Sequence, residues 1–472
     1  MSKCLIRSAA IVGLTATAVP PAYAQDEEEY GSIRQRIRVE QNFIAGDNLG
    51  LESPSEGRTS LSTTRLTYGL QRETATQQLS LAVGAGLRFG NIATGNTMKT
   101  GFVDPLIAFR YNREGANALF SFDADYQQTD ISLDQPLWTF LDSDGIVTPP
   151  ADFSDIRGSG ERRAYNVGAF LETGLNDPFG LRLRARTSGT NYIDTTDADL
   201  DDYDNTSLGL TGLFRFNPVT TATVDLSYLK YSSADSADTD RETRAVQAGF
   251  IRELSSISTL TFSAGFSTVD STLTDPITGV RSTTRAEGPV GGIDYDTAMP
   301  NGTFNVGFDV YQNQDGQRGT LLMARSLELP SGSLSGNIGV TQLDQSDPQV
   351  IGGLNWVYNL PSSRFTLILD RAVYTDSSDE DRLTNLLVAG YSHEINQVSS
   401  LSVDLSMSYT EAAVGEDATE RAGLVVAYNR ELNENWSFNT GVAFRTLQDN
   451  DIGEADATAL FFGIGRNFDL SR

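Results

Sequence analysis

Cysteine is all but missing: among 472 residues there is one, Cys4. It stands too early to follow an apolar lipobox, so neither a disulfide framework nor a lipid anchored on cysteine is expected. Histidine is equally scarce, with His393 alone, and a Ser-His or His-metal centre needs partners close in space. Positive charge is short as well: 35 Lys and Arg face 62 Asp and Glu, a net charge of −27. A nucleic-acid partner, which needs a basic footprint for phosphate, is thereby disfavoured. Past residue 24 no stretch approaches the roughly 18 to 20 unbroken apolar residues of a membrane-spanning helix. Pro-rich and low-complexity linkers are also lacking, which favours one continuous architecture over two or three domains.

What is present begins with Lys3 and Arg7 ahead of a short apolar run, 9–19, and then Ala22-Tyr23-Ala24 before Gln25. That order of charge, apolar stretch and small residues predicts a secretory signal peptide over 1–24. A short acidic segment, 25–31, follows, and the body of the chain runs over 32–472.

The body repeats one pattern. In LSLAVGAGLRF, Leu79, Leu81, Val83, Leu87 and Phe89 fall on one face of an extended chain, with Ser80, Ala82, Gly84, Gly86 and Arg88 on the other. The same period of two recurs at 120–127, 223–228, 260–267, 304–310 and 403–409. About ten short turn-rich connectors, from RETATQ at Arg72 to RELNEN at Arg430, alternate with about eleven longer loops that are acidic and hold Gly and Ser. The spacing predicts about 22 strands, an even number that returns the last beside the first.

A soluble sandwich would pack its apolar face into a core. Here the second face carries glycine, serine and charge, which suits water, while the apolar face suits lipid. Hydrocarbon tolerates no unpaired backbone group, and among strand structures only a closed barrel meets that condition. Tyr68, Tyr111, Tyr126, Tyr228, Tyr231, Tyr374, Tyr409 and Tyr428 recur toward strand ends, as interfacial aromatic girdles would. The fold class expected is all-β: a transmembrane antiparallel up-and-down β-barrel in the outer membrane of a Gram-negative bacterium.

The C-terminus resembles the last-strand signal of barrels assembled in the bacterial outer membrane. Gly465, Phe468 and Leu470 take its glycine and two apolar places, while Gly463 stands where a polar side chain is usual and Ser471 and Arg472 follow. The resemblance to outer-membrane β-barrels covers the chain from Ser32 onward, and it implies membrane lipid, lipopolysaccharide and the barrel-assembly machinery as partners. The units YNRE at Tyr111 and YNREL at Tyr428 are similar to those of the β-barrel porin 2 group, which implies a pore or an export-associated barrel. TonB-dependent receptors also have 22 strands, but they resemble one another in a globular plug ahead of the barrel. Residues 25–31 leave no room for one, so a plug-free barrel is expected.

Catalysis finds little footing. His393 stands by a short periplasmic turn and reads as a turn residue, so no enzyme, cofactor or metal centre is expected. Two readings stay open for the acidic loops holding Asp197, Asp199, Asp201, Asp202 and Asp204, and Asp376, Asp379, Glu380 and Asp381. Either they recruit hard cations that bridge to lipopolysaccharide, or they are solvated charge that resists aggregation.

Two arginine ladders bear on transport. Arg34, Arg36 and Arg38 share the face opposite Ile33, Ile37 and Val39; Arg182, Arg184 and Arg186 share the face opposite Leu181, Leu183 and Ala185. They should point inward, since each arginine on the lipid face near the midplane costs about 2 to 4 kcal/mol. There they either attract anions or pair with inward acids such as Asp123, Asp125, Asp225 and Asp404. The longest loop, 131–160, is unusual in carrying Leu133, Leu137, Trp138, Phe140, Leu141, Ile146, Val147 and Phe153. Exposed apolar residues need somewhere to pack. The loop is expected to fold inward as a constriction, with Leu137, Trp138 and Phe140 foremost, or else to form an outer lid. Together these features point to a porin-like channel, passive or partner-gated, for small polar or anionic solutes. A structural or adhesive surface barrel, or an outer-membrane part of polysaccharide export, is the alternative.

Overall fold

A computed structural model describes residues 31–133, 137, 153, 156–195, 197, 200–344, 346–375, 381–411, 418–449 and 453–470. The expected signal peptide and all but Gly31 of the acidic segment lie outside the described residues.

Twenty-two antiparallel strands follow one another in a single sheet. They begin with β1 (Ile33–Asp47), β2 (Arg58–Glu73), β3 (Gln77–Asn91), β4 (Gly101–Glu114), β5 (Ala118–Asp130) and β6 (Glu161–Thr173). Next come β7 (Phe179–Ile193), β8 (Tyr203–Asn217), β9 (Thr220–Ser233), β10 (Asp240–Ser255), β11 (Ser258–Thr274) and β12 (Arg281–Met299). A third group holds β13 (Gly302–Asn313), β14 (Gly316–Leu329), β15 (Gly332–Leu343), β16 (Gln349–Leu360), β17 (Ser363–Thr375) and β18 (Asp381–Asn396). The last are β19 (Ser399–Thr410), β20 (Thr419–Asn433), β21 (Trp436–Asp449) and β22 (Gly453–Asp469).

β1 pairs with β22 from Arg36 opposite Asp469 to Asp47 opposite Thr458, so the sheet closes on itself. Closure leaves no edge for the hydrocarbon to meet unpaired. The short connectors fall where the turn chemistry places them, at the end of the barrel that also holds the start of β1 and the end of β22. By the rule of short periplasmic turns, the opposite end, with the longer loops, faces outward from the cell. Strand ends moved by a few residues: β22 starts at Gly453 where the alternation had suggested Ala457.

Register assigns the two faces. Leu66 on β2 pairs with Ala85 on β3, and Val83 with Ile107 on β4; these residues and Phe89, Phe262, Phe308 and Ile338 form an exposed apolar outer belt. A belt of this kind is stable only against lipid. Aromatic rings gather at its periplasmic rim, where Arg466 lies 5.2 Å from the Trp436 ring centre and 4.4 Å from that of Phe468. Two of the tyrosines expected in the girdles turn inward instead. Tyr231 is buried beside Tyr203, and Tyr374 donates to Asp370 at 2.7 Å. Each belongs to the face opposite the belt, which a position near a strand end does not reveal.

Candidate functional site: the lumen and its mouth

Because side chains alternate, fixing the belt fixes the lumen. Arg34, Arg36 and Arg38 on β1 lie on the inner face, opposite in sense to Ile37, which pairs with the belt residues Tyr68 and Phe468. Arg36 reaches Asp469 at 3.4 Å, and Arg38 reaches Glu40 at 2.7 Å. Arg182, Arg184 and Arg186 on β7 also face inward, since Leu183 between them belongs to the exposed belt. Arg182 is bound to Glu172 at 2.9 Å. Arg186 approaches Asp123 at 3.6 Å, two strands away, across Gly168. A Cβ at that glycine would sit 2.6 Å from the Asp123 carboxylate, so any larger residue would make the carboxylate shift. Arg184 lies 5.7 Å from the Phe170 ring centre and has no carboxylate partner among the described residues.

Carboxylates also line the opposite half of the wall. Asp225 on β9 accepts from Thr211 and Thr223, at 2.6 and 3.0 Å. Asp294 on β12 and Asp309 on β13 face inward near each other, and Asp404 on β19 pairs across from Gly390. The lumen therefore carries arginine ladders on β1 and β7 and inward carboxylates on β9, β12, β13 and β19, with Arg241 on β10 also facing inward.

At the outer mouth the loops turn in. Leu137 and Phe153 of the 131–160 loop are buried against Ile368 on β17 and Leu386 and Val388 on β18. Those three belong to the inner face, so a loop leaving between β5 and β6 packs on the far wall. Trp138 and Phe140, the other constriction candidates, lie outside the described residues. Leu51, from the 48–57 loop, packs on the inner residues Leu447, Ala455 and Ala457. Ile131 and Ile156 meet Leu200 of the loop after β7. Burying each such side chain contributes about 1.5 to 3 kcal/mol.

Polar ties reinforce these contacts. Arg88 is buried between Asp104, at 2.8 Å, and Asp130, at 3.1 Å, and Asp104 also takes Arg65 at 3.2 Å. Asp130 accepts from the Ser132 amide at the base of the long loop. Arg445 on β21 then donates to the Ser132 and Leu49 carbonyls. Lys99, in the loop after β3, holds Glu161 and Asp194 at 2.7 and 2.9 Å; chiefly the hydrogen bond to Glu161 raises its pKa above the usual lysine range.

Sequence reasoning missed Arg88, Asp104, Arg445 and the inner apolar patch. The patch had a signal: in LLVA, 386–389, and LIL, 367–369, the alternation lapses, placing apolar residues on both faces. Of the acidic loop residues, Asp197 pairs with Arg157 at 2.6 Å and Asp202 accepts from the Tyr192 amide at 2.7 Å, while Asp204 is bound by the Tyr165 hydroxyl. Asp199, Asp376, Asp379 and Glu380 lie outside the described residues. No group of three metal-ligating side chains occurs among the described residues. His393 meets Ser363 Oγ at 2.8 Å through Nδ1 and stacks on Tyr391, on the outer face. No carboxylate hydrogen-bonds its ring among the described residues. At the chain's end Gly465 pairs with the inward Glu40, Phe468 stands in the belt, and the Leu470 amide donates to Gln35 at 2.9 Å.

No family model matches the chain, and no curated protein matches it. Among solved structures it is similar to the ferric-catecholate import receptor Fiu from E. coli K12, with 10% identity over 94% of this chain and 82% of that one and a TM-score of 0.56. The FrpB iron transporter from Neisseria meningitidis matches at 7% identity over 93% and 82%, TM-score 0.55. The copper transporter OprC matches at 11% over 94% and 83%, TM-score 0.52. The fold is that of a 22-stranded outer-membrane β-barrel. The matched proteins are receptors and transporters, not enzymes.

This corrects the class drawn from sequence. The solved structures that the barrel resembles are an import receptor and metal transporters, which overturns the porin-type, plug-free barrel expected from the shortness of 25–31. The resemblance to the β-barrel porin 2 group likewise finds no counterpart among the matched structures. The reason is physical. Strand number and closure set the cylinder that is being matched, whereas what fills a cylinder this wide is encoded apart from the strand pattern. Among the described residues there is no α-helix, only a 3-10 turn at Ile131–Leu133.

Proposed function

We propose that this barrel carries small anionic solutes across the outer membrane along the arginine side of its lumen, through a mouth narrowed by its inward-folded loops. The observation that carries the reading is Arg184, which faces the lumen over Phe170 with no carboxylate beside it among the described residues. Five other arginines share the two ladders, so an anion moving along β1 and β7 meets successive partners, as charged pore linings require. Leu137 and Phe153, packed on the far wall, put an apolar bar across the path. The receptor-type fold favours a second reading of the cargo. An anionic metal chelate, such as the ferric catecholate named for Fiu, would use the same arginines.

Reversal potentials in planar bilayers, taken on the refolded protein and on Arg182→Gln/Arg184→Gln/Arg186→Gln, test the reading. Anion preference that falls in the triple variant supports it. Conductance with no ion preference in either protein sinks the arginine assignment, and a folded, heat-modifiable barrel that never conducts points to the structural alternative or to chelate uptake.

A further inference from the structure

Four of the short connectors carry one dipeptide: Arg72-Glu73, Arg113-Glu114, Arg252-Glu253 and Arg430-Glu431. Neighbours in a strand point to opposite faces, and the register decides which goes where. Arg72 pairs with Leu79, Arg113 with Phe120, Arg252 with Leu260 and Arg430 with Phe438, all on the lipid side, so each glutamate turns toward the lumen. Arg466 on β22, paired with Trp436, joins the outward set. All five lie one to three residues from the periplasmic end of their strands. They are exposed, and no carboxylate bridges any of them among the described residues. Arg325 also faces outward there, but the Thr303 carbonyl and the Asn301 side chain occupy it at 2.9 Å each.

At the opposite end of the barrel the outward cations are matched. Lys230 meets Asp240 at 3.7 Å, Arg281 meets Asp240 at 2.8 Å, Arg285 meets Asp270 at 3.1 Å and Arg371 meets Glu411 at 3.4 Å. Arg244 holds both Glu242 and Asp270. Arg58, opposite Asp47 in the register but not bridged to it, is the exception. Unmatched positive charge on the lipid face is therefore gathered at the periplasmic rim. Its depth is set by apolar neighbours: on the outer face Arg252 stands between Phe250 and the exposed Leu254, and Arg430 between Tyr428 and the exposed Leu432. A leucine on the far side of each guanidinium keeps it at the level of the head groups, short of open water.

We propose that Arg72, Arg113, Arg252, Arg430 and Arg466 form a collar that binds the phosphate groups of anionic phospholipids in the periplasmic leaflet. The planar fork of arginine matches two phosphate oxygens at once. An anionic head leaves that phosphate charge uncancelled, whereas the ammonium of a choline head offsets it, so the collar favours the anionic lipid. The strand alternation that sends Glu73, Glu114, Glu253 and Glu431 inward removes the carboxylates that would compete for the same guanidiniums. The collar lies outside the barrel, so it stands or falls apart from anion passage.

The test uses the full chain in phosphatidylcholine vesicles, with its own tryptophans as reporters. Trp138→Phe/Trp356→Phe leaves Trp436, whose ring centre lies 5.2 Å from Arg466. Trp138→Phe/Trp436→Phe leaves Trp356, which faces lipid in the same half of the wall with Leu334 and Leu367 opposite it and no arginine. Quenchers are phosphatidylglycerol and phosphatidylcholine brominated near the glycerol end of their chains. Phosphatidylglycerol should displace phosphatidylcholine beside Trp436 about fivefold better than beside Trp356, the gain expected for one cation meeting an anionic head. Arg430→Gln/Arg466→Gln should remove that preference, and Arg244→Gln/Arg285→Gln, at the outer end, should leave it. Equal preference at the two tryptophans, or a preference that survives loss of the two arginines, overturns the proposal. So does its removal by inorganic phosphate where chloride of equal ionic strength has no effect, which would mark a site for the free anion.

Discussion

Arg445 donates to the Leu49 carbonyl at 2.7 Å and to the Ser132 carbonyl at 3.1 Å. One buried guanidinium on β21 thus holds the bases of two loops that leave the barrel from other strands. Its planar fork serves both at once, which an ammonium does less well.

Replacing that side chain strips the donor and leaves both carbonyls in place. A hydrogen bond to a charged group is worth about 1.5 to 3 kcal/mol, so Arg445→Ala should speed hydrogen exchange at Leu51 and Ile131 by tenfold or more while the strand ladders keep their protection. Arg445→Lys should fall between. Unchanged exchange in both variants would mean that the apolar contacts alone fix the loops.

Leu137 is 2% exposed, packed on a wall formed far from it in sequence. A buried Leu→Ala change costs about 2 to 5 kcal/mol, borne here by the loop rather than by the barrel. Leu137→Ala should make the 131–160 loop readily cut by protease with the heat-modification midpoint little moved. Ile368→Ala, from the opposite side of the same contact, should do likewise, and the double variant should be less than additive. Additive effects would show that the two residues do not share one contact.

Gly168 makes room for Asp123 beside Arg186. A Gly168→Val side chain would push the carboxylate aside, while a branched residue suits a strand. Stronger anion preference in bilayer recordings is the expected outcome, with the barrel still folded. Weaker preference would mean that Asp123 positions Arg186 for the solute rather than screening it.

Two outer turns should respond to acid in opposite senses. Asp275 accepts from the Thr278 and Ile277 amides, at 2.7 and 2.9 Å, and the Thr278 bond foremost holds its carboxyl below the ordinary value of 3.8. Its contribution to the turn is present above 3.8 and is lost as pH falls through the lowered value. Asp315, between β13 and β14, is pushed above 3.8, first by burial and then by Asp381. That turn is best held below 3.8 and loosens as pH rises through the raised value. Hydrogen exchange at Thr278 and Gly316, corrected for intrinsic rate, should therefore change with opposite sign on acidification. Asp275→Asn and Asp315→Asn should each flatten the response of its own turn.

The strands and their short turns could be read from the chain because both signals are local. A period of two and a cluster such as RELNEN act over a few residues, and parity alone turned Arg184 toward the lumen. The mouth was legible only in part. Leu137 announced itself as an apolar residue in a polar loop, yet its partners Ile368, Leu386 and Val388 appear in sequence merely as a lapse of alternation. Arg445 looks like any inward arginine, since its acceptors are backbone carbonyls 396 and 313 positions away. The porin-type expectation went astray because strand patterning describes the staves and is silent on what occupies the space they enclose.

Arg36 and Asp469 meet although they stand 433 positions apart. Until that last seam forms, every shorter assembly of these strands exposes two raw edges, and the loop closure needed to seal them is the longest the chain can make. The barrel is thus a poor candidate for piecemeal construction. A chain halted before β22 is not a smaller barrel but an open sheet, ready to pair with whatever strand it meets first.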